Sequence, residues 1–334
     1  MGKDTHFTGH PIFGQQLSFL NKSKIHSASK AMGADKYVKR FDSYSHVVVM
    51  LFAVTEGFHS LRETVLGLLS HANKLRHLGL TYIVRRSTLS EANQRRSGKL
   101  FEKVYHDTYQ HHKDSLADSS LTKRDIQRLF IIDSTTITLF KSILRGVGRN
   151  PENGKKKGGI KAHTIIDSQD GMPCFVRYTE AARHNHVLLQ DVSLPSDSIL
   201  CFDKGYVDYQ QYEVFTTKRI WYVTLLKDNA QYECKEEYDI PDDAHDGVLK
   251  DEEIILFYGK NKELTHRARR IAFWDDDKKR VFEFLTNNFD LSADDICQIY
   301  KKRWQIELLY KQLKQNFPLK YFLGDNENAI TIQI

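Results

Sequence analysis

Three carboxylates stand where their neighbours could put them to chemical use. Asp133 closes the apolar run Leu129-Phe130-Ile131-Ile132, and Asp203 closes Leu200-Cys201-Phe202 ahead of Lys204-Gly205-Tyr206. A buried strand that runs into a charged residue and then a glycine presents that carboxylate at a sheet edge facing a site. Aspartate also ends strands because it favours turns, so neither position speaks alone. The third is Glu307. Tyr300, Arg303, Glu307 and Lys314 follow one another at spacings of 3, 4 and 7. At ~100° per residue they fall within roughly 60° of arc on a helix. Ile299, Ile306, Leu309 and Leu313 occupy the neighbouring arc. The spacing predicts an apolar stripe packed on a sheet, with a Tyr/Arg/Glu/Lys stripe along its edge. Alone it also describes an ordinary amphipathic helix with an i,i+4 Arg–Glu pair of ~0.3 kcal/mol. The combination carries more. Two strand-end aspartates and a helical glutamate suit two hard divalent cations, since Mg²⁺ takes oxygen ligands in octahedral geometry. Two such ions about 4 Å apart clamp the attacking and leaving oxygens of an in-line phosphoryl displacement. An arginine, a lysine and a tyrosine nearby would hold nucleic-acid phosphates.

These side chains need strands and a helix to hold them. The run that ends at Asp133 reads as a short strand, followed by the β-branched stretch 135–138. Further strands are expected at 160–167, 173–178 and 198–202, with Gly171 in the turn between the first two. A short helix fits 186–193. The expected order is strand, strand, strand, helix, strand. Lys161 and His163 alternate onto one face of the strand beside Asp133, where a place near the site and a structural role fit equally. His184-Asn185-His186 is three adjacent residues and does not make a metal motif. Beyond it, β-rich segments are expected at 220–226, 253–258, 270–274 and 280–285. The stretch 228–253, with eleven acids against two lysines, reads as a solvated, loop-rich insertion. Trp274 reads as core packing in its strand, with a base-stacking wedge as the other option. Ser292 is the expected N-cap of a helix running to about Gln315, with Asp294 and Asp295 in its first turn.

Residues 11–125 read as helical. Leu61, Val65, Leu68 and Leu69 recur at helical spacing. Gly79 separates a short helix from a long one that begins near Ser87 and Thr88. Thr88 and Glu91 match a capping box there, and Leu89, Ala92, Arg96, Leu100 and Val104 mark the inner face. Asn93, Gln94, Arg95, Arg96 and Lys99 are expected to face outward. Such a helix could enter a major groove or simply present a charged face to solvent.

Composition sets the frame. The chain has 334 residues, 40% hydrophobic and 28% charged, an ordinary globular balance that excludes a mainly disordered chain. Six prolines and 18 glycines exclude collagen-like sequence. The longest apolar run, 47–54, is too short to cross a bilayer. No continuous apolar stretch precedes Lys22, so no signal peptide is expected. Cys174, Cys201, Cys234 and Cys297 form no CxxC pair and suit neither a zinc site nor a disulfide framework, which points to a reducing cytoplasm. The net charge of +6 is unevenly spread: residues 1–128 carry 20 Lys and Arg against 11 Asp and Glu, and the remainder 29 against 32. A basic module beside a slightly acidic one suggests a polyanion-binding part next to a working part, although a solvated basic surface gives the same count.

Four stretches resemble a known family. Ile132-Asp133-Ser134-Thr135-Thr136-Ile137 looks like the first catalytic motif of IS4-family DDE transposases, and Asp203-Lys204-Gly205-Tyr206 looks like the second. Tyr300, Arg303, Glu307 and Lys314 match the family's Y-(2)-R-(3)-E-(6)-K signature at every position. Ser60-Leu61-Arg62-Glu63 and Ser87-Thr88-Leu89-Ser90-Glu91-Ala92-Asn93 resemble the branch with a small helical N-terminal domain. The resemblance implies an α/β fold: an RNase H-like catalytic core with a β-rich insertion over about 214–290, preceded by an all-α DNA-binding domain. The domains would be 1–125 and 126–334. By carry-over, Asp133, Asp203 and Glu307 would be catalytic metal ligands for two Mg²⁺ or Mn²⁺ ions. Tyr300, Arg303 and Lys314 would contact transposon-end DNA or position Glu307. Lys204 stands where many relatives have arginine and keeps a phosphate contact without the bidentate fork. Arg95 and Arg96 would bind DNA from the helical domain, and Lys155-Lys156-Lys157 would touch phosphate from a loop. The implied partners are terminal inverted repeats, target DNA and a second copy of the chain, in a bacterial cytoplasm and without a membrane. Family chains normally continue past the Glu helix, so truncation at the C-terminus is expected here. Two other readings share parts of this evidence: a remnant that binds DNA without cutting it, and a two-metal repair nuclease without strand transfer.

Overall fold

The computed structural model describes residues 12–116, 128–138, 159–180, 185–241, 247–317 and 321–334. Lys155-Lys156-Lys157 and His184 lie outside these residues. The chain forms two compact units, one of residues 1–116 with 312–334 and one of residues 117–311. The division differs from a single domain running from 126 to the C-terminus: the last segment groups with the N-terminal helices.

The helical unit contains α1 (Ile12–Ser18), α2 (Lys22–Ala31), α3 (Ser43–Thr55), α4 (Leu61–Ser70), α5 (Arg86–Arg95) and α6 (Gly98–Leu116). The apolar run 47–54 lies in α3 and forms the centre of its core, with Val48, Ala53, Leu68 and Leu89 essentially inaccessible. Ser60 caps α4: its Oγ accepts from the amide of Glu63, and the Glu63 carboxylate accepts from the amide of His59. The expected capping box at Thr88 and Glu91 does not form. Helix α5 starts two residues earlier, so Thr88 lies inside it and Arg85 caps it without a side-chain bond. The expected long helix is also two helices, because Arg96 adopts an extended conformation and ends α5. Gly79 does separate the preceding 3₁₀ turn from α5, in the left-handed conformation that glycine takes without strain.

The second unit is built on one nine-stranded sheet. Its strands are β1 (Leu129–Thr138), β2 (Gly159–Asp167), β3 (Pro173–Glu180), β4 (Ile199–Phe202), β5 (Trp221–Leu225), β6 (Gln231–Glu237), β7 (Val248–Tyr258), β8 (Leu264–Asp275) and β9 (Arg280–Thr286). They lie side by side in the order β3-β2-β1-β4-β5-β9-β8-β7-β6. β1, β4 and β5 run parallel at the centre, and the flanking pairs are antiparallel. Helix α7 (Tyr209–Thr217) connects β4 to β5 and was not anticipated from the sequence. Its Tyr212 and Phe215 pack on one sheet face with Phe130, Ile132 and Phe202. Helices α8 (Ala293–Lys302) and α9 (Trp304–Asn316) contribute Ile296, Cys297, Ile306 and Tyr310 to the core on the other face, with Leu129, Ile131, Ile199 and Cys201.

Two expectations for this unit are corrected. β5 pairs with β4 and belongs to the central parallel strands, so the insertion is narrower than 214–290 and extends the same sheet. The acidic stretch 228–253 is not loop throughout. It supplies β6 and the first half of β7, and β6 is fully exposed at the sheet edge, where alternating charge discourages further pairing. Asp251 and Glu252 are buried because β8 brings Arg269 and Arg270 against them. Trp274 is not core either: it is 37% exposed at the end of β8, with Phe273 turned inward beside it. A last short helix, α10 (Glu327–Gln333), packs in the helical unit, where Asn328 donates to the main-chain carbonyls of Asn93 and Arg96.

Candidate active site

The strand register explains why the two aspartates meet. β1 and β4 pair in parallel up to Ile132 opposite Phe202. The next residues in step are Asp133 and Asp203. Side chains alternate along a strand, so Asp133 follows Leu129 and Ile131, and Asp203 follows Ile199 and Cys201, onto the face that α8 and α9 cover. Asp203 keeps an extended backbone, and its side chain accepts from the amide of Gly205 at 3.3 Å as it caps a 3₁₀ turn. Asp133 does not end a strand, as its place after the apolar run suggests. The β-branched 135–138 continue β1 against β2, and only the pairing with β4 stops at Ile132.

Glu307 reaches this face from α9. The expected single helix is interrupted at Arg303, where α8 ends and α9 begins one residue later. Arg303 keeps a right-handed helical backbone, and Ile299, Ile306 and Leu309 of the expected apolar stripe pack in the core. Ile306 and Tyr310 point inward on α9, and Leu313, expected on the apolar stripe, is exposed. Arg303 and Glu307 still meet across one turn. The Arg303 guanidinium pairs with the Glu307 carboxylate, and its Nη1 stands 3.8 Å from Asp133 Oδ2. Tyr300 backs it from below, with the guanidinium 5.6 Å from the ring centroid and the ring against Phe284. Burial opposes the charge on Arg303, yet Tyr300, Glu307 and Asp133 together raise its pKa.

The electrostatics of Asp133 report the whole cluster. Burial pushes its carboxyl up; the Ser134 amide at 2.7 Å and Arg303 pull it down; Asp203 and Glu307 add to the rise. Three acids therefore share one electrostatic neighbourhood, with an arginine held between two of them. Among the described residues no three His, Cys, Asp or Glu side chains stand close enough to hold a metal ion. The donor set is nonetheless that of a hard cation, all carboxylate oxygen, and the position between Asp133 and Glu307 is held by the Arg303 guanidinium.

Other expected site residues divide clearly. Lys204 is exposed and pairs with Asp228 at 3.2 Å. Lys314 is exposed in α9. Lys161 and His163 lie on the sheet face opposite Asp133, since His163 pairs with Ser134 in register and Thr164 pairs with Asp133. His163 bonds Thr179 Oγ1 at 2.9 Å and Tyr206 at 3.3 Å. Lys161 donates to Asn185 at 2.9 Å. In the helical unit Arg95 is exposed in an i,i+4 pair with Glu91. Arg96 and Asn93 are corrections. Arg96 is 5% exposed, pairs with Asp35 and donates to the carbonyl of Phe41. Asn93 is buried, accepting from His46 at 2.7 Å and donating to the carbonyl of Leu323 at 3.1 Å. The break after Arg95 turns Arg96 inward, so it does not share an outer face with its neighbour. The sequence reading missed Tyr310. Its hydroxyl donates to the main-chain carbonyl of Asp133 at 2.9 Å. One helical turn past Glu307 was the signal that could have found it.

Comparisons with known proteins show the family. Residues 124–334 match the family described as transposase DDE domain, and residues 8–81 match a domain family of unknown function, DUF4372. The chain is 30% identical over 208 residues to the protein described as transposase y4zB of Sinorhizobium fredii, covering 62% of this chain and 57% of that one. It is 25% identical over 206 residues to the transposase described for insertion sequence element IS5377 of Geobacillus stearothermophilus, covering 62% and 53%. A third relative is the transposase described for IS4SA of a Synechocystis strain, 25% identical over 258 residues. The chain thus spans a little over half the length of the first two relatives. With a family match over residues 124–334, which include all three acids and the Y-R-E-K spacing, the chain belongs to the DDE transposases of insertion sequences, of the IS4 type.

Proposed function

We propose that this chain binds the terminal inverted repeats of its element and, with Asp133, Asp203 and Glu307, cuts and rejoins DNA by phosphoryl transfer. The observation that carries the reading is the register of β1 and β4. It sets Asp133 and Asp203 side by side on the face from which Glu307 approaches through Arg303. The central parallel strands with helices on both faces support an RNase H-like core. Two Mg²⁺ or Mn²⁺ ions, when bound, would supply the charge that activates a water and stabilises the departing oxygen. The carboxylates would hold them. Arg303, released from the acids, would turn to a backbone phosphate, with Tyr300 keeping its stem in place. Lys204 and Lys314 would add phosphate contacts, and Arg95 would add one from the helical unit. The freed 3′-hydroxyl would then attack target DNA at the same carboxylates, in a complex of two copies of the chain.

A labelled duplex carrying an element end tests the reading, with Mg²⁺ or Mn²⁺, using wild type, Asp133→Asn and Glu307→Gln. Metal-dependent nicking and joined product are expected for wild type and absent from both variants, which still bind the duplex. Cleavage that survives Asp133→Asn would refute the assignment. Binding without cutting by a folded wild-type chain would leave a DNA-binding protein without catalysis, and nicking without joining would leave a nuclease.

A further inference from the structure

We propose that Tyr310 is a positioning residue that ties the main chain of Asp133 to the helix carrying Glu307, and so sets the separation of carboxylates on which metal binding depends. The inference rests on the reading of Asp133, Asp203 and Glu307 as the metal-binding set. The Tyr310 hydroxyl donates to the carbonyl oxygen of Asp133 at 2.9 Å. It also engages Thr164, the residue opposite Asp133 on β2. The side chain is 8% exposed and sits in the core that α9 shares with β1 and β4. Carbonyls alternate along β1: that of Arg128 accepts from Ile199 on the β4 side and that of Leu129 from Ser168 on the β2 side, so that of Asp133 faces β2, with Thr164 opposite. A carbonyl oxygen has two lone pairs, so the Tyr310 hydroxyl can bond it from the helix alongside the strand ladder.

The bond differs in kind from the contact that Arg303 makes. Arg303 grips the carboxylates themselves, so a divalent ion that binds them must displace it. Tyr310 grips the backbone of Asp133 and makes no claim on its carboxylate oxygens. It can therefore persist when the acids take up an ion. Tyr310 lies three residues past Glu307, on the same side of α9 within one turn. A hydrogen bond there fixes the axial position of Glu307 relative to β1. Groups that orient ligands in this way typically change metal affinity by about 10–100-fold when removed.

Tyr310→Phe deletes one oxygen and keeps the ring. Tyr222→Phe is the matched control: Tyr222 is fully buried in the same sheet, and its hydroxyl bonds His266 at 2.7 Å on the opposite face. Direct Mn²⁺ binding to the full chain is measured by electron paramagnetic resonance of the free ion, alongside circular dichroism melts and duplex binding. Tyr310→Phe should weaken Mn²⁺ binding at least about tenfold, with duplex binding unchanged. Tyr222→Phe should leave both unchanged. Wild-type Mn²⁺ binding that Tyr310→Phe preserves overturns the proposal alone. So does a loss that Tyr222→Phe reproduces in proportion to its melting shift. A wild-type chain that binds no Mn²⁺ overturns the metal-site reading and the proposal with it.

Discussion

Replacing Asp251 with alanine leaves a guanidinium stranded in the outer half of the sheet. Arg269 donates through Nε to Asp251 Oδ1 at 2.7 Å and through Nη2 to Oδ2. Its Nη1 donates to the carbonyl of Leu291 at 2.6 Å, one residue before the Ser292 cap that launches α8. The pair therefore anchors the turn from which the Arg303 and Glu307 helices start. The side chains are 7% and 8% exposed, so the small value of an exposed ion pair does not apply. Breaking a buried pair from one side costs about 3–5 kcal/mol. In a unit of ~150–250 residues each kcal/mol moves the melting temperature by about 2–4 °C. A fall of roughly 6–20 °C is expected. All three tryptophans, Trp221, Trp274 and Trp304, belong to the sheet unit, so tryptophan fluorescence during heating reads that unit directly. Asp251→Leu combined with Arg269→Met should recover much of the loss, though not the bond to Leu291. Glu233→Ala, which breaks the exposed pair with Lys235, should change stability by less than ~1 kcal/mol. An Asp251→Ala melt within ~2 °C of wild type would refute the argument, because it would mean that Arg269 finds water or another partner at no cost.

Two further predictions concern the helical unit. Burial lowers the pKa of His46 to about 3, against its hydrogen bond to Asn93 and the field of Asp35, which raise it, with Arg96 lowering it further. The unfolded chain therefore binds a proton that the folded unit refuses between about pH 6.5 and 3. Stability is full above that window and falls as pH drops through it, by up to ~1.4 kcal/mol per pH unit. Circular dichroism melts from neutral to acidic pH should show the slope in wild type and a flatter one in His46→Gln; equal slopes would contradict it. Arg95→Ala should leave the melt unchanged and reduce the salt slope of duplex binding by about one. Arg96→Ala, by contrast, should lower the melting temperature through the loss of its buried pair with Asp35, and a variant with wild-type stability and weaker DNA binding would contradict its placement in the core.

Local patterns explain most of what was legible. The apolar and β-branched runs at β1, β2, β4 and β9 and the turn at Gly171 follow from neighbouring residues alone, as do the caps at Ser60 and Ser292. The Y-R-E-K spacing is likewise a local property of helical chain, and it drew attention to Arg303 and Glu307 even though the helix is interrupted at Arg303. The acidic stretch 228–253 misled because its acids are neutralised by Arg269 and Arg270, which are distant in sequence. Charge read along a chain cannot reveal a partner that a neighbouring strand supplies. Arg96 and Asn93 misled for a related reason: the groups that receive them, Asp35, His46 and Leu323, come from elsewhere in the fold.

The sequence by itself determined the acids, their flanking strands and helix, and the family to which the chain belongs. Those depend on residue type and short-range periodicity, which need no third dimension. Tertiary structure decided how the site is assembled. Strand register put Asp133 and Asp203 level on one face, the packing of α9 brought the Tyr310 hydroxyl to the Asp133 carbonyl, and the same packing laid the Arg303 guanidinium between two carboxylates. Each of these is a relation between segments far apart in the chain. Pairing and packing free energies select such relations, and no stretch of sequence contains them on its own.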